Sequence, residues 1–213
     1  MFYTCINNHI LILAIHVDNC LMTSSSINLI TDYKKRLNAK YLLTDLGKIH
    51  WLLSIEITRD RKAHTILLTQ MTYIETILNR FSLSDAKPYA MPIISGAIYS
   101  KSDMPTNATE AAYMAKVPYH KAIGSLIYAA EATQPDITFA ISTLSQFLEN
   151  PSHVHWEAIK QIFWYLASTK THMLTYRNEC HNLIGFTNAN GASQEHCHAI
   201  SGFTFLIDSR AVS

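Results

Sequence analysis

The stretch His9-Ile10-Leu11-Ile12-Leu13-Ala14-Ile15-His16-Val17-Asp18-Asn19-Cys20-Leu21-Met22-Thr23 sets the reading of the chain. Residues 9–17 form a β-rich run that ends at Val17-Asp18-Asn19, and an apolar run resumes at Cys20. Two apolar strands around an Asp-Asn turn predict a hairpin. Next, residues 24–26 are serines able to cap a helix over 27–40, with Leu29, Ile30, Tyr33 and Leu37 on one face. Residues 49–59 and 65–69 read as a second hairpin across the charged tip Asp60-Arg61-Lys62. Residues 70–81 read as a helix whose buried stripe is Tyr73, Ile74, Ile77, Leu78 and Phe81.

Composition then shifts. Residues 88–117 carry Pro88, Pro92 and Pro105 among several Ser, Thr and Asn, which predicts a linker or irregular wrap with little structure of its own. Three helices are expected after it, over 119–131, 135–149 and 152–168. Pro135 suits a first helical turn, Pro151 stops the second helix, and Ser152 caps the third. The tail returns to short strands at 173–177, 183–187 and 203–207. No internal repeat is visible.

The bulk numbers bound the function. At 213 residues and 48% hydrophobic, the chain holds one domain or two small ones with a real core. Charged residues are 15%, where about 25% is usual, and Gly is 6, against a usual share of about 7%. The 11 His exceed the 6 Arg, and the net charge is +1, which excludes the strongly basic footprint of an autonomous nucleic-acid binder. Cys5, Cys20, Cys180 and Cys197 form no C-x-x-C pair, which suits a reduced, intracellular protein. The N-terminus lacks the basic region of a secretory signal, and no run of 18 apolar residues predicts a membrane helix.

The tip His16-Val17-Asp18-Asn19 resembles the reverse-transcriptase palm turn, Tyr-Val-Asp-Asp. The segments C-terminal to it are similar, in the same order, to the copia-type retrotransposon polymerase. The matching pieces are Asp45-Leu46-Gly47, Trp51-Leu52-Leu53-Ser54-Ile55-Glu56-Ile57, Leu68-Thr69-Gln70 and Val117-Pro118-Tyr119. Ile123-Gly124-Ser125-Leu126-Ile127-Tyr128, Thr133-Gln134-Pro135-Asp136-Ile137, His155-Trp156 and Tyr165-Leu166 continue the series. Gly185-Phe186-Thr187-Asn188-Ala189-Asn190 and Ser201-Gly202-Phe203 resemble the opening of that family's ribonuclease H domain. The resemblance to the Pol polyprotein implies an α+β fold. Its parts would be a partial reverse-transcriptase palm of β-hairpins and helices over 1–87 and a linker over 88–117. A helical thumb/connection region over 118–172 and incomplete ribonuclease H-like strands over 173–213 would complete it. The resemblance also implies a fragment, with further palm acids before Met1 and further ribonuclease H acids after Ser213.

Two-metal nucleotidyl transfer needs carboxylates that hold the ions about 4 Å apart. The family uses magnesium and takes one carboxylate from an upstream palm strand and two from the turn. Here Asp18 remains as a vestigial magnesium ligand, or as a plain turn residue. Asn19 is neutral and coordinates magnesium poorly. Where the ribonuclease H domain opens with Asp-Ala-Asp, this chain has Asn188-Ala189-Asn190. The expectation is a catalytically inactive remnant of an RNA-directed DNA polymerase and ribonuclease H, with no magnesium bound.

Binding of a primer–template is expected to be weakened too. The third helix of family members reads Lys-Arg-Ile-Leu-Arg-Tyr-Leu-Lys-Gly-Thr, and this chain has Lys160-Gln161-Ile162-Phe163-Trp164-Tyr165-Leu166-Ala167-Ser168-Thr169. Lys160 alone stays as a weak nucleic-acid contact, and each lost phosphate contact lowers affinity. Trp156 is expected in the core and Trp164 at the surface. Scattered pairs such as His153-x-His155 and His196-Cys197-His198 lack zinc spacing, and Glu56 reads as a solvated strand residue. No Ser-His-Asp arrangement or glycine-rich phosphate loop points to another enzyme class. The competing reading is a retained nucleic-acid-binding or protein-interaction module without catalysis, with Lys34, Lys35, Arg36 and Lys40 as its candidate basic groove.

The departures from the family pattern share one chemistry. Asn19, Asn188 and Asn190 stand for Asp; Gln134, Gln161, His120, Trp164 and Cys197 stand for Arg; Ser54 and Ser168 stand for Gly. Each exchange is reachable by one G→A or C→T transition, the signature of a silenced element eroded by directional hypermutation. His16 for Tyr and Gly191 for Trp need other changes.

Overall fold

The structure, a computed structural model, describes residues 1–84, 88–177, 182–190, 200–207 and 209–212. It is mixed α and β with antiparallel sheets, and it separates into two compact units, Met1–Leu52 and Leu53–Ser213.

The first unit carries β1 (Phe2–Ile6), β2 (His9–His16), β3 (Asn19–Ser24), α1 (Ile27–Asn38) and β4 (Trp51–Leu52). The expected hairpin forms between β2 and β3, with His16 opposite Asn19 and Val17-Asp18 as its tip. Val17 sits at φ +52°, a costly conformation for a β-branched residue. β1 is a strand that the sequence pattern did not announce. It pairs with β2 through Asn7-Asn8, which stand at φ +50° and +62° in a two-residue turn that needs two left-handed residues. Asn tolerates that region, so the Asn-Asn pair is the signal for this turn. α1 exposes more than the sequence pattern suggests, for none of its residues is buried, and Leu11 at 2% exposure is the unit's one buried large apolar side chain.

The second unit opens with β5 (Ile55–Asp60), β6 (Thr65–Thr69) and α2 (Met71–Arg80). It continues through α3 (Ala108–Met114), α4 (Tyr119–Ala132), α5 (Thr138–Ser145) and α6 (His153–Thr169). β7 (Leu174–Arg177) pairs antiparallel with β6, and β8 (Leu183–Asn190), β9 (Ile200–Ile207) and β10 (Arg210–Ala211) form a separate sheet in the order β10-β9-β8. Gly185 on β8 lies under the ring of Phe205, where an added Cβ would come within 2.8 Å of the ring.

The core of this unit is helical. Ile74 and Ile77 of α2, Leu126 of α4, Leu144 of α5 and Ile162, Phe163 and Leu166 of α6 have no exposed surface. Their 3.6-residue spacing explains why the helical stripes are readable in the sequence. Phe163 stacks at a tilt on Phe81, 5.0 Å between ring centres.

Three expectations change. The expected strand over 49–59 breaks at Leu53-Ser54, both with positive φ (+49° and +59°). The expected helix over 135–149 is a 3-10 turn, Pro135–Ile137, followed by the shorter α5. The segment 88–117 contains a 3-10 turn, Lys101–Asp103, and α3, whose N-cap Asn107 accepts a hydrogen bond from the Glu110 amide at 2.7 Å. An Asn followed three residues later by Glu is a helix-start pattern, which the proline count obscures.

Ser54 has φ +59°, a left-handed backbone that Gly occupies without strain. Ser54→Gly is expected to stabilise the protein by about 1 kcal/mol and raise Tm by about 2–4 °C, read by thermal unfolding. At the head of α6, His155 is fully buried, and its Nδ1 accepts the Ser152 amide hydrogen bond at 3.0 Å while Nε2 has no partner among the described residues. Burial holds the imidazole below its ordinary titration range, so the folded state keeps it neutral. Above that ordinary range His155 contributes no pH dependence. As pH falls below about 6.5 the unfolded chain takes up a proton that the folded one resists, and stability declines. His155→Gln keeps an acceptor for Ser152 and removes the titration. Denaturant unfolding between about pH 7.5 and pH 5 should show a shallower loss for that variant than for the parent.

Candidate functional site

Asp18 projects at the exposed tip between β2 and β3, and Asn19 opens β3 beside it, also exposed. Asn188 and Asn190 lie on β8, opposite Gly202 and Ile200, and Asn188 is exposed. One carboxylate next to a neutral amide does not fit a two-metal centre. Among the described residues no three His, Cys, Asp or Glu side chains come together as a metal site. Of the zinc-type pairs, His153 lies against Glu157 at 3.2 Å while His155 is buried against Ser152, so the two do not converge. Cys180, His181, Gly191, His196, Cys197 and His198 lie outside the described residues. Glu56 is an exposed residue of β5, as its alternation indicates.

Three of the cations assigned to nucleic acid, Lys160, Lys34 and Arg36, are engaged with neighbours. Lys160 Nζ is 2.6 Å from the Glu157 carboxylate. Lys34 donates to Asp45 at 2.6 Å, and that hydrogen bond, with one from the Gly47 amide, holds the Asp45 carboxyl below the usual carboxylate range. Arg36 lies over the Tyr33 ring and 3.8 Å from Asp32. Lys35 and Lys40 are exposed.

The departures on α6 prove to be structural. Gln161 is 5% exposed and its Nε2 donates to the Met91 carbonyl at 3.1 Å. Trp164, expected at the surface, is half-buried and packs on Tyr89 with ring centres 5.6 Å apart. Ser168 Oγ lies 3.0 Å from the Tyr89 carbonyl and 2.7 Å from the Tyr165 carbonyl of its own helix, with one proton to share between them. These residues at i, i+3 and i+7 share one helix face and together grip a strap at 89–91. Nothing periodic in the strap sequence announces this, because an irregular segment is held by single contacts rather than by a repeating stripe.

Other motif residues are packing devices. Tyr128 donates to the Leu53 carbonyl at the strained turn and meets Tyr73 edge-on at 5.0 Å. Tyr165 donates to Asp136, and burial together with that carboxylate pushes the Tyr165 hydroxyl up to about 12. Buried Thr133 donates to Gln70 at 2.9 Å. Trp156, expected in the core, is half-buried with its ring 6.5 Å from that of Tyr119. Trp164→Ala should cost about 2 kcal/mol and lower Tm by several degrees, with faster proteolysis in the strap than in the helices. Unchanged strap cleavage would contradict the grip.

Residues 1–95 match the family described as reverse transcriptase (RNA-dependent DNA polymerase). The chain is 37% identical over 207 residues to the Retrovirus-related Pol polyprotein from transposon TNT 1-94 of Nicotiana tabacum, covering 97% of this chain and 16% of that protein. It is 32% identical over 166 residues to the Retrovirus-related Pol polyprotein from transposon RE1 of Arabidopsis thaliana, covering 76% of this chain and 10% of that protein. A shorter relative is the secreted RxLR effector protein 161 of Plasmopara viticola, 36% identical over 102 residues, covering 47% of this chain and 72% of that protein. The chain therefore spans less than a fifth of the length of either Pol polyprotein. No solved structure matches it. Together with the turn at Asp18 and the ordered motifs C-terminal to it, these matches place the chain in the copia-type retrotransposon Pol family, as a reverse-transcriptase remnant.

Proposed function

We propose that this remnant does not polymerise DNA. The reading rests on the β2–β3 tip, where Asp18 is followed by Asn19 and the turn offers one carboxylate in place of two. The paired negative charge that draws two magnesium ions and offsets their repulsion is halved, and a neutral amide cannot restore it. The Asn188-Ala189-Asn190 run on β8 supports a parallel loss of ribonuclease H cleavage. Within this reading, residues 1–87 correspond to part of a palm, 88–117 to a linker, 118–172 to a thumb or connection region and 173–213 to the start of a ribonuclease H domain. Its setting is intracellular, which the unpaired Cys5 and Cys20 support. Among the described residues no helix is long and apolar enough to cross a membrane.

A second reading, a retained binding module without catalysis, is favoured by the fully buried helical core, which the departures have left packed. The engaged Lys160 makes it a weak binder through α6. Filter binding of a primer–template at low salt separates the two, since binding by this route falls steeply with added salt.

Primer extension with the full chain, in magnesium and then in manganese, is expected to yield no product, and Asn19→Asp alone is expected not to restore it. Measurable extension by the parent chain defeats the proposal. Codons at the departed positions, set against an intact sister copy, should differ by G→A or C→T transitions; mixed transversions would rule out directional erosion.

A further inference from the structure

The β10-β9-β8 sheet carries apolar side chains on both faces, where a sheet with one face in water alternates apolar with polar. Residues opposite one another on paired strands point to the same face, so the register sorts them. Leu183 stands opposite Ile207, Gly185 opposite Phe205 and Thr187 opposite Phe203. On this face Leu183, Phe203, Phe205 and Ile207 are all exposed, at 63%, 67%, 40% and 40%. The Phe203 and Phe205 rings lie 5.9 Å apart, so the apolar surface is continuous. The opposite face holds Ile184, Phe186, Thr204 and Leu206, and there Thr204 and Leu206 are half-buried.

We propose that the Leu183–Phe203–Phe205–Ile207 face packs against the same face of a second copy of the chain, forming a two-sheet sandwich about a two-fold axis. The helical core of the unit closes without this sheet, for its buried cluster draws on α2, α4, α5 and α6 and on no residue of β8 or β9. The two strands contain no Asp, Glu, Lys, Arg or His. Arg210, opposite Ile207 on β10, is the one charged residue that the register sets beside the patch, and it lies at the margin. A charged partner surface would find nothing to pair with here. A second copy brings the same uncharged apolar surface, and a two-fold axis makes that surface its own complement without setting like charges together at the centre. Strands of eight residues set about 4.8 Å apart offer about 600 Å² of accessible surface per copy. The pair then buries about 1,200 Å², the lower end for a specific interface, so the dimer is reversible and depends on concentration. The proposal does not rest on the polymerase reading.

Sedimentation of the full chain between about 1 and 100 μM tests the pairing. The parent is expected to pass from monomer to dimer over that range. Phe203→Glu places a carboxylate in the interface of each copy and is expected to weaken the dimer by about tenfold or more. Phe186→Glu makes the same change on the opposite face of the same sheet, at a residue that is 57% exposed, and is expected to leave the dimer intact. Circular dichroism of both variants checks that the helical core is kept. A parent that stays monomeric overturns the proposal, and so does open-ended association, which points to pairing along the strand edges. Equal weakening by the two variants, weakening by neither, or weakening by Phe186→Glu alone also overturns it.

Discussion

Burial of the apolar face of α6 is the constraint on which the second unit depends. Ile159, Ile162, Phe163 and Leu166 recur at helical spacing and lose all their exposed surface against α2, α4 and α5. Side chains of this kind gain about 1.5–3 kcal/mol each on burial, so the helix cannot shift without losing several such terms at once. Once α6 is fixed, its other faces become anchors. Its head is closed by the Ser152–His155 pair, its middle holds Met91, and just past its end Lys170 reaches Glu75 at 2.7 Å.

The features legible in the sequence are the periodic ones. The stripes of α2, α4 and α6 repeat every 3.6 residues, and the β2–β3 hairpin announces itself by two apolar runs around a polar turn. The unread features depend on single residues. β1 hinges on two asparagines, the break before β5 on two residues with positive φ, and α3 on one capping asparagine in a proline-rich stretch. The turn at Asp18 is legible as a site because its motif is local.

Packing and chemistry have fared differently in this chain. Replacing an acid by its amide at Asn19 or Asn188 changes almost no volume and leaves an exposed side chain that water can satisfy. Acid and amide there differ in charge and hardly in shape, so the fold is insensitive to which of the two is present. Replacing Gly by Ser at position 54 does the reverse, since the left-handed backbone there costs stability whether or not the protein works. A substitution at these positions thus has opposite physical consequences, depending on whether the site carries charge or a constrained backbone conformation.

The strap at 89–91 ties three residues of α6 into one unit. Gln161, Trp164 and Ser168 now hold the same three-residue segment, so their effects are not independent of one another. Replacing Gln161 alone by arginine would bring a guanidinium with five donors to a site that is 5% exposed and offers it the Met91 carbonyl. A substitution on this face of α6 is therefore felt by the whole strap, because all three side chains meet the same short segment.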